Sequence, residues 1–367
     1  MILDPGRRFI RAITFTVWFS LACLAIALTQ LILSPLWLFD RELFRSWIVH
    51  TKEAFGIVAT TITEYWAPTP VRVTAEGALV KDLQLGEDGL LQGKFPDRLV
   101  LIANHQLYTD WLYLWWFAYA CRRHGAIHII LKKSLKHIPI VGWGMQYYGF
   151  IFLARNWLQD KTTLLRRLLQ LQREDKKPLW LMIFPEGTNY APTAYALSSA
   201  YADKTGVSMP RNVLLPRSTG LFFCLQNLSK SVEWVYDCTF AYENVPRRGF
   251  GQDYYSLAGT FFYGSPPKKV HMHWRRFPMK DVPLEDEQAF EEWLQKRWEE
   301  KDALIESYYD NGKFKGDAIE TSIKLGSIAE VLKVFDVLLC VVLMIVGVRD
   351  ARRTMRWIDR KMKPTAR

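Results

Sequence analysis

The chain has 367 residues, half of them hydrophobic, with 15 tryptophans and a formal net charge of +11. Its five cysteines (Cys23, Cys121, Cys224, Cys238 and Cys340) form no CxxC pair and exclude a disulfide framework or a zinc site, so they read as reduced thiols. No zinc-finger, RNP-like or glycine-rich phosphate-loop pattern accompanies the positive charge, which argues against a nucleic-acid partner.

Residues 12–33 are apolar apart from three threonines, a serine and a glutamine. At ~1.5 Å per residue such a helix is long enough to cross a bilayer core of about 30 Å. It lacks the small-residue cleavage site of a signal peptide. Residues 43–66 are half polar and read as an interfacial helix. Together, 1–70 is expected to hold N-terminal membrane-anchoring helices.

Residues 71–275 alternate short apolar runs with helix-length segments. The strand-like runs are 99–103, 127–131, 150–153, 179–184, 213–215, 234–241 and 270–274. Residues 161–173, with leucines at 164, 165, 168, 169 and 171, read as a helix, and 84–97 as a loop. The fold class this implies is α/β, a mixed sheet covered by helices.

A helical extension is expected over 276–325. Its charged helix, 286–309, carries Phe290, Leu294 and Trp298 four residues apart as a buried stripe and stops at Asn311-Gly312. The last segment, 326–367, joins an apolar helix (331–348) to a basic tail. From 349 to 367, eight Arg/Lys stand against Asp350 and Asp359, a surplus of +6 suited to anionic lipid. Arginines precede the first apolar segment and the basic tail follows the last, which would place both ends in the cytosol. Two full spans then put 71–275 in the lumen; an N-terminal pair returning to the same side keeps it cytosolic. The sequon Asn227-Leu228-Ser229 lies in a predicted helix and matters only if the domain is luminal.

Four apolar runs each end in a polar cluster. In "NHQLYTD" (104–110), Asn104 reads as the cap of a helix starting near Tyr108. Residues five apart in a regular helix point ~140° apart, so His105 and Asp110 meet only if His105 sits at or before the first turn. Asp110 would then accept the imidazole Nδ1–H, leaving Nε2 to take a proton from a hydroxyl. No serine or cysteine nucleophile stands beside the pair, so direct attack by a substrate alcohol on an activated acyl group is the natural use. The other reading is a capped turn with a surface carboxylate. "GFIFLARN" (149–156) ends in Arg155, suited to a phosphate or merely to solvent. "LWLMIFPEGTN" (179–189) would display Glu186 and Thr188 at the same sheet edge as His105 if the two strands are parallel neighbours, with Gly187 allowing close backbone approach. "VLLPRSTG" (213–220) turns from strand to helix at Pro216 and Arg217. Each alone is equally well a plain turn; together they suggest one site along a sheet edge.

These four blocks, in this order, resemble the glycerolipid acyltransferase family, which includes the 1-acylglycerol-3-phosphate acyltransferases. The match departs at Asn189, where the family usually has arginine. "LKKSLKHIPIVGWGMQ", "VLLPRSTG" and "FEEWLQKRWEEKDALIESYY" are similar to the lysocardiolipin and lysophosphatidylinositol acyltransferase branch, and the likeness runs from about 99 to 310. The resemblance implies transfer of a fatty acyl group from acyl-CoA to a lysophospholipid hydroxyl, with no metal and no cofactor beyond that co-substrate. It implies His105 as general base and Asp110 as its orienter. Arg155, Glu186, Gly187 and Thr188 would bind the phosphate-bearing acceptor, and Pro216 and Arg217 would shape the donor or acceptor side. Lys132, Lys133 or Arg217 would stand in for the missing arginine, or the acceptor carries a larger head group. The expected setting is a membrane with anionic lipid, in the endoplasmic reticulum. Two rivals are a CoA-independent transacylase and a non-catalytic lipid-binding protein. Metal hydrolysis is disfavoured, because no third ligand sits at usable spacing.

Overall fold

The computed structural model describes residues 4–362, with side chains through Arg349. The basic tail therefore lies, beyond Arg349, outside the described side chains. The elements in chain order are α1 (Pro5–Leu33), α2 (Leu36–Phe39), α3 (Arg41–Trp66), β1 (Pro70–Ala75), β2 (Leu83–Leu85), β3 (Leu91–Gly93), β4 (Arg98–Ala103), α4 (Asp110–Ala120), β5 (Ile127–Lys132), α5 (Val141–Tyr147) and β6 (Ile151–Leu153). Next come α6 (Trp157–Arg173), β7 (Leu179–Ile183), α7 (Pro192–Thr205), α8 (Ser218–Leu228), β8 (Trp234–Tyr242), α9 (Gly251–Tyr254) and α10 (Leu257–Phe261). The chain closes with β9 (Val270–Pro278), α11 (Glu287–Asn311), β10 (Ala318–Ser322) and α12 (Asp336–Met362).

Eight strands form one mixed sheet in the order β10-β1-β9-β8-β4-β7-β5-β6. The block β8-β4-β7-β5-β6 is parallel, while β9 runs antiparallel to β8 and β10 antiparallel to β1. β4 is near-continuously apolar because helices cover both of its faces. Leu99, Leu101 and Ala103 join Trp115, Phe117 and Ile57 on one side. Val100 and Ile102 join Leu164, Leu221, Phe290 and Trp298 on the other, so the two-residue period of a strand assigns its residues to two separate cores.

Four sequence expectations change here. The run 213–215 forms no strand: Val213 and Leu214 are buried and Leu215 half-buried, but β4 already has β7 and β8 as neighbours. The 84–97 loop contains the short hairpin β2–β3. The boundary expected at 275 falls inside β9, and the extension returns β10 to the sheet beside β1, so 276–325 is not purely helical. Helix α3 packs into the protein more than a half-polar segment suggests: Ile48, Ala54 and residues 56–63 are buried, while most of 41–50 is exposed or part-exposed.

Helix α1 lies along the domain. Phe15 meets Phe261 and Phe262 at ring distances of 4.9 and 5.5 Å near one end, and Ser34 Oγ hydrogen-bonds Tyr147 OH at 2.7 Å at the other. Its inward stripe includes Ala22, Ala25, Ile26 and Gln30; outward, Ile13, Val17, Leu21, Leu24, Leu28 and Leu31 are exposed at helical spacing. Among the described residues one helical segment, Pro5–Phe39, is long and apolar enough to cross a membrane. A second, bent pair (Ile328–Val334 with Asp336–Arg349) passes only if its 67° break is counted as one span.

Candidate active site

Register puts the loops after β4 and β7 side by side: Ile102 pairs with Ile183 across parallel strands. Asn104 does not cap α4. Its side chain reaches β8 instead, where Nδ2 donates to Phe240 O (3.1 Å) and Oδ1 accepts from Phe240 N (2.8 Å), continuing the ladder by one side chain. The helix begins at Asp110, two residues later than expected.

His105 is held from several directions. Its backbone N–H donates to Glu186 Oε2 (3.3 Å), and its carbonyl accepts from Tyr190 N (2.6 Å). Its ring stacks on Phe184 at 4.3 Å between centroids, 23° from parallel. Nδ1 lies 2.9 Å from Asp110 Oδ2. That oxygen also accepts from Gln106 N (2.6 Å) and Leu107 N (3.0 Å), and Tyr242 OH donates to Oδ1. Four donors thus satisfy a carboxylate with no solvent exposure, as a buried charge requires. Burial first, and then the Asp110 charge, push the Tyr242 phenol well up, so it stays protonated and donates. With Asp110 surrounded by donors, the hydrogen on Nδ1 points at the carboxylate. Nε2 is left as the basic nitrogen of a side chain 18% exposed.

Glu186 is turned inward. It is 2% exposed, and its Oε1 accepts from the Trp298 indole N–H (3.3 Å) on α11. Burial, the largest cause, pushes its carboxyl up to about 8. Gly187 follows at φ +73°, a left-handed conformation that favours glycine. A Cβ there would lie 3.5 Å from Arg217 Cδ and Nε, so the exposed Arg217 side chain crosses this turn. Arg217 N donates to Pro185 O (2.9 Å), locking the two loops together. Thr188 and Pro216 are half-buried on those loops. Asn189, where arginine is usual in the resembling family, is buried and donates to Gln252 Oε1 (2.7 Å).

His105, Asp110, Glu186, Gly187, Thr188, Pro216 and Arg217 thus belong to the adjoining loops after β4 and β7 and before α8. Arg155 does not join them. It is exposed, at φ +66°, beyond edge strand β6, three strands from β4 and so roughly 14 Å away at ~4.8 Å per strand. Asp160 shapes its loop by accepting from Ala154 N (2.8 Å) and Asn156 N (3.0 Å). The sequence reading missed Tyr242, Phe184 and Tyr190. It took Trp298 for core alone; it is core, and it also donates to Glu186.

The site is a part-buried imidazole paired with a fully buried carboxylate at the carboxyl edge of a parallel-dominated sheet. A family model described as Acyltransferase matches residues 91–243, and one described as Acyltransferase C-terminus matches 260–333. An uncharacterized acyltransferase of Schizosaccharomyces pombe is 39% identical over 335 residues, covering 91% of this chain and 95% of its own. The 2-acyl-1-lysophosphatidylinositol acyltransferase of Saccharomyces cerevisiae is 40% identical over 303 residues, covering 73% and 76%. Lysocardiolipin acyltransferase 1 of Gallus gallus is 34% identical over 259 residues, covering 70% and 65%. The chain belongs to the acyltransferase family, among the lysophospholipid acyltransferases.

Proposed function

We propose that the protein transfers a fatty acyl group from acyl-CoA to the free hydroxyl of a lysophospholipid. The observation that carries this reading is the 2.9 Å contact between His105 Nδ1 and Asp110, with Nε2 left as base. Nε2 takes the proton of the acceptor hydroxyl as its oxygen attacks the thioester carbonyl. The tetrahedral intermediate then collapses, the C–S bond breaks, and the imidazolium returns its proton to the departing thiolate. An activated thioester needs no covalent enzyme intermediate. The acceptors named by the relatives, lysophosphatidylinositol and lysocardiolipin, share a phosphodiester beside the glycerol. Arg217, whose side chain crosses the Gly187 turn, is the proposed contact for it.

The outward apolar stripe of α1 supports a bilayer setting, with the endoplasmic reticulum as the proposed compartment. Because both ends of α1 touch the domain, the arrangement favours a pair of helices that keeps the domain on one face of the membrane. The test is purified protein with labelled oleoyl-CoA and a panel of lysophospholipids. Product with one or more acceptors, strictly dependent on added acyl-CoA, supports the reading. Product without acyl-CoA means a transacylase, and no product with any acceptor refutes transfer.

A further inference from the structure

The two oxygens of the Asp110 carboxylate are served unequally. Oδ2 accepts from His105 Nδ1 (2.9 Å) and from two backbone N–H groups, those of Gln106 (2.6 Å) and Leu107 (3.0 Å). Oδ1 accepts from a single donor, the Tyr242 hydroxyl. Tyr242 is the last residue of β8 and only 3% exposed, so water cannot stand in for that hydroxyl. Its ring packs on Tyr113 and Phe240, each with centroids 6.1 Å away. The titratable groups packed about the pair are Glu186 on the loop after β7, Tyr113 on α4, and Cys238 and Tyr242 on β8. Burial, the largest cause for all four, pushes each of them up and favours their neutral forms at neutral pH. The cations of the adjoining elements are Lys301 on α11 and Arg217 before α8. Lys301 is bonded to Asp237, Cys238 O and Thr239, and among the described residues neither cation hydrogen-bonds Asp110 or His105. The Asp110 charge therefore rests on four donors, and Tyr242 is the one that reaches it from outside its own loop.

We infer that Tyr242 is a positioning residue for this site: its hydroxyl fixes the plane of the carboxylate so that Oδ2 meets Nδ1, and it holds down the proton affinity of the imidazole–carboxylate pair. The inference deepens the general-base reading above and rests on it. A buried carboxylate is stabilised by each hydrogen bond it accepts. Deleting one donor makes the ion bind the remaining ones more strongly. The remaining side-chain donor here is the imidazole, which donates best in its protonated form. A pair without the Tyr242 hydroxyl therefore keeps its proton to higher pH, and an imidazolium cannot take another from the acceptor alcohol. The two groups titrate as one coupled unit, so the effect belongs to the pair.

The test is Tyr242→Phe, which keeps the ring and deletes the hydroxyl. Two quantities are followed with pH on full-length protein in detergent: kcat/KM for acyl transfer, and the ¹⁵N resonances of the His105 ring, assigned by their loss in His105→Ala. Both the acid limb of the rate profile and the ring titration should move to higher pH by about one unit, the worth of one hydrogen bond to a charged group. Tyr113→Phe removes a buried hydroxyl from the same aromatic cluster that makes no hydrogen bond to Asp110, and it should move neither. If Tyr242→Phe does not fold, 3-fluorotyrosine at position 242 keeps the hydrogen bond with a stronger donor and should move both titrations to lower pH. A hydroxyl that serves structure alone lowers thermal stability and leaves both titrations where they were. That outcome in a folded Tyr242→Phe protein overturns the inference, as does an equal shift in Tyr113→Phe. The ring titration needs no turnover, so a shift there in a protein that transfers no acyl group upholds the coupling and refutes the acyl-transfer reading instead.

Discussion

Replacing Asp110 by Asn isolates the charge of the pair from its geometry. An amide oxygen at the Oδ2 position still accepts from Gln106 N, Leu107 N and the His105 Nδ1–H, and the amide NH₂ at the other position donates to the Tyr242 hydroxyl oxygen. The loop and the tautomer are therefore kept, and only the negative charge is lost. That charge stabilises the imidazolium that forms as the acceptor hydroxyl gives up its proton. With Nδ1 2.9 Å from Oδ2 the charge centres lie ~4 Å apart, worth about 4 kcal/mol at an effective dielectric of ~20. Each 1.36 kcal/mol is about tenfold, so kcat should fall by about three decades while KM for either substrate stays close to wild type. The assay is initial-rate transfer from labelled oleoyl-CoA to lysophosphatidylinositol, alongside thermal unfolding. A folded Asp110→Asn protein that keeps a tenth or more of wild-type kcat refutes the role assigned to the carboxylate.

Burial raises the folded Glu186 carboxyl to about 8, above its unfolded value of about 4.3, so the folded chain holds a proton that the unfolded chain has released. Its contribution to stability is complete below the unfolded value and is lost as pH rises through about 8. Thermal stability should decline over that limb, and Glu186→Gln should flatten it; an unchanged slope contradicts this. Lys301 is fully buried and donates to Asp237 Oδ1 (2.5 Å), Cys238 O (2.9 Å) and Thr239 Oγ1 (3.0 Å). Lys301→Met leaves Asp237 with Arg275 alone and should cost about 3 kcal/mol in denaturant unfolding. Under the proposed role of Arg217 as a phosphate contact, Arg217→Gln should raise KM for a phosphate-bearing acceptor about tenfold with kcat nearly unchanged; an equal fall in kcat would place it in the transition state instead.

Much of the central sheet was legible, because β4, β7 and β8 are buried on both faces and read as largely apolar runs, β8 broken only by Asp237 and Thr239. β10 was not: on the edge, with one buried residue in five, it carries no pattern. Residues 213–215 look like a strand by composition, but whether a run finds a partner depends on strand order, which local sequence does not encode. The same ignorance of order set Arg155 beside His105 on paper and three strands away in the fold. Helix α3 misled through its threonines. Thr60, Thr61 and Thr63 hydrogen-bond the carbonyls of Gly56, Ile57 and Ala59 one turn back, so polar side chains are buried without outside partners. The His105–Asp110 pair was legible because it is local. Tyr242, 132 residues from Asp110, left no sequence signal. Asn104 was read as a cap by its residue type, yet its amide serves β8.

The central claim is that the His105 imidazole takes the proton from the lipid alcohol. Its most direct test is the acyl-transfer rate of purified His105→Ala protein, with unfolding and membrane association measured on the same preparation. A general base contributes about 10² to 10⁴ in rate, so transfer should fall by at least a hundredfold while folding and membrane association are unchanged. A folded, membrane-associated variant that transfers acyl groups within a few-fold of wild type would contradict it.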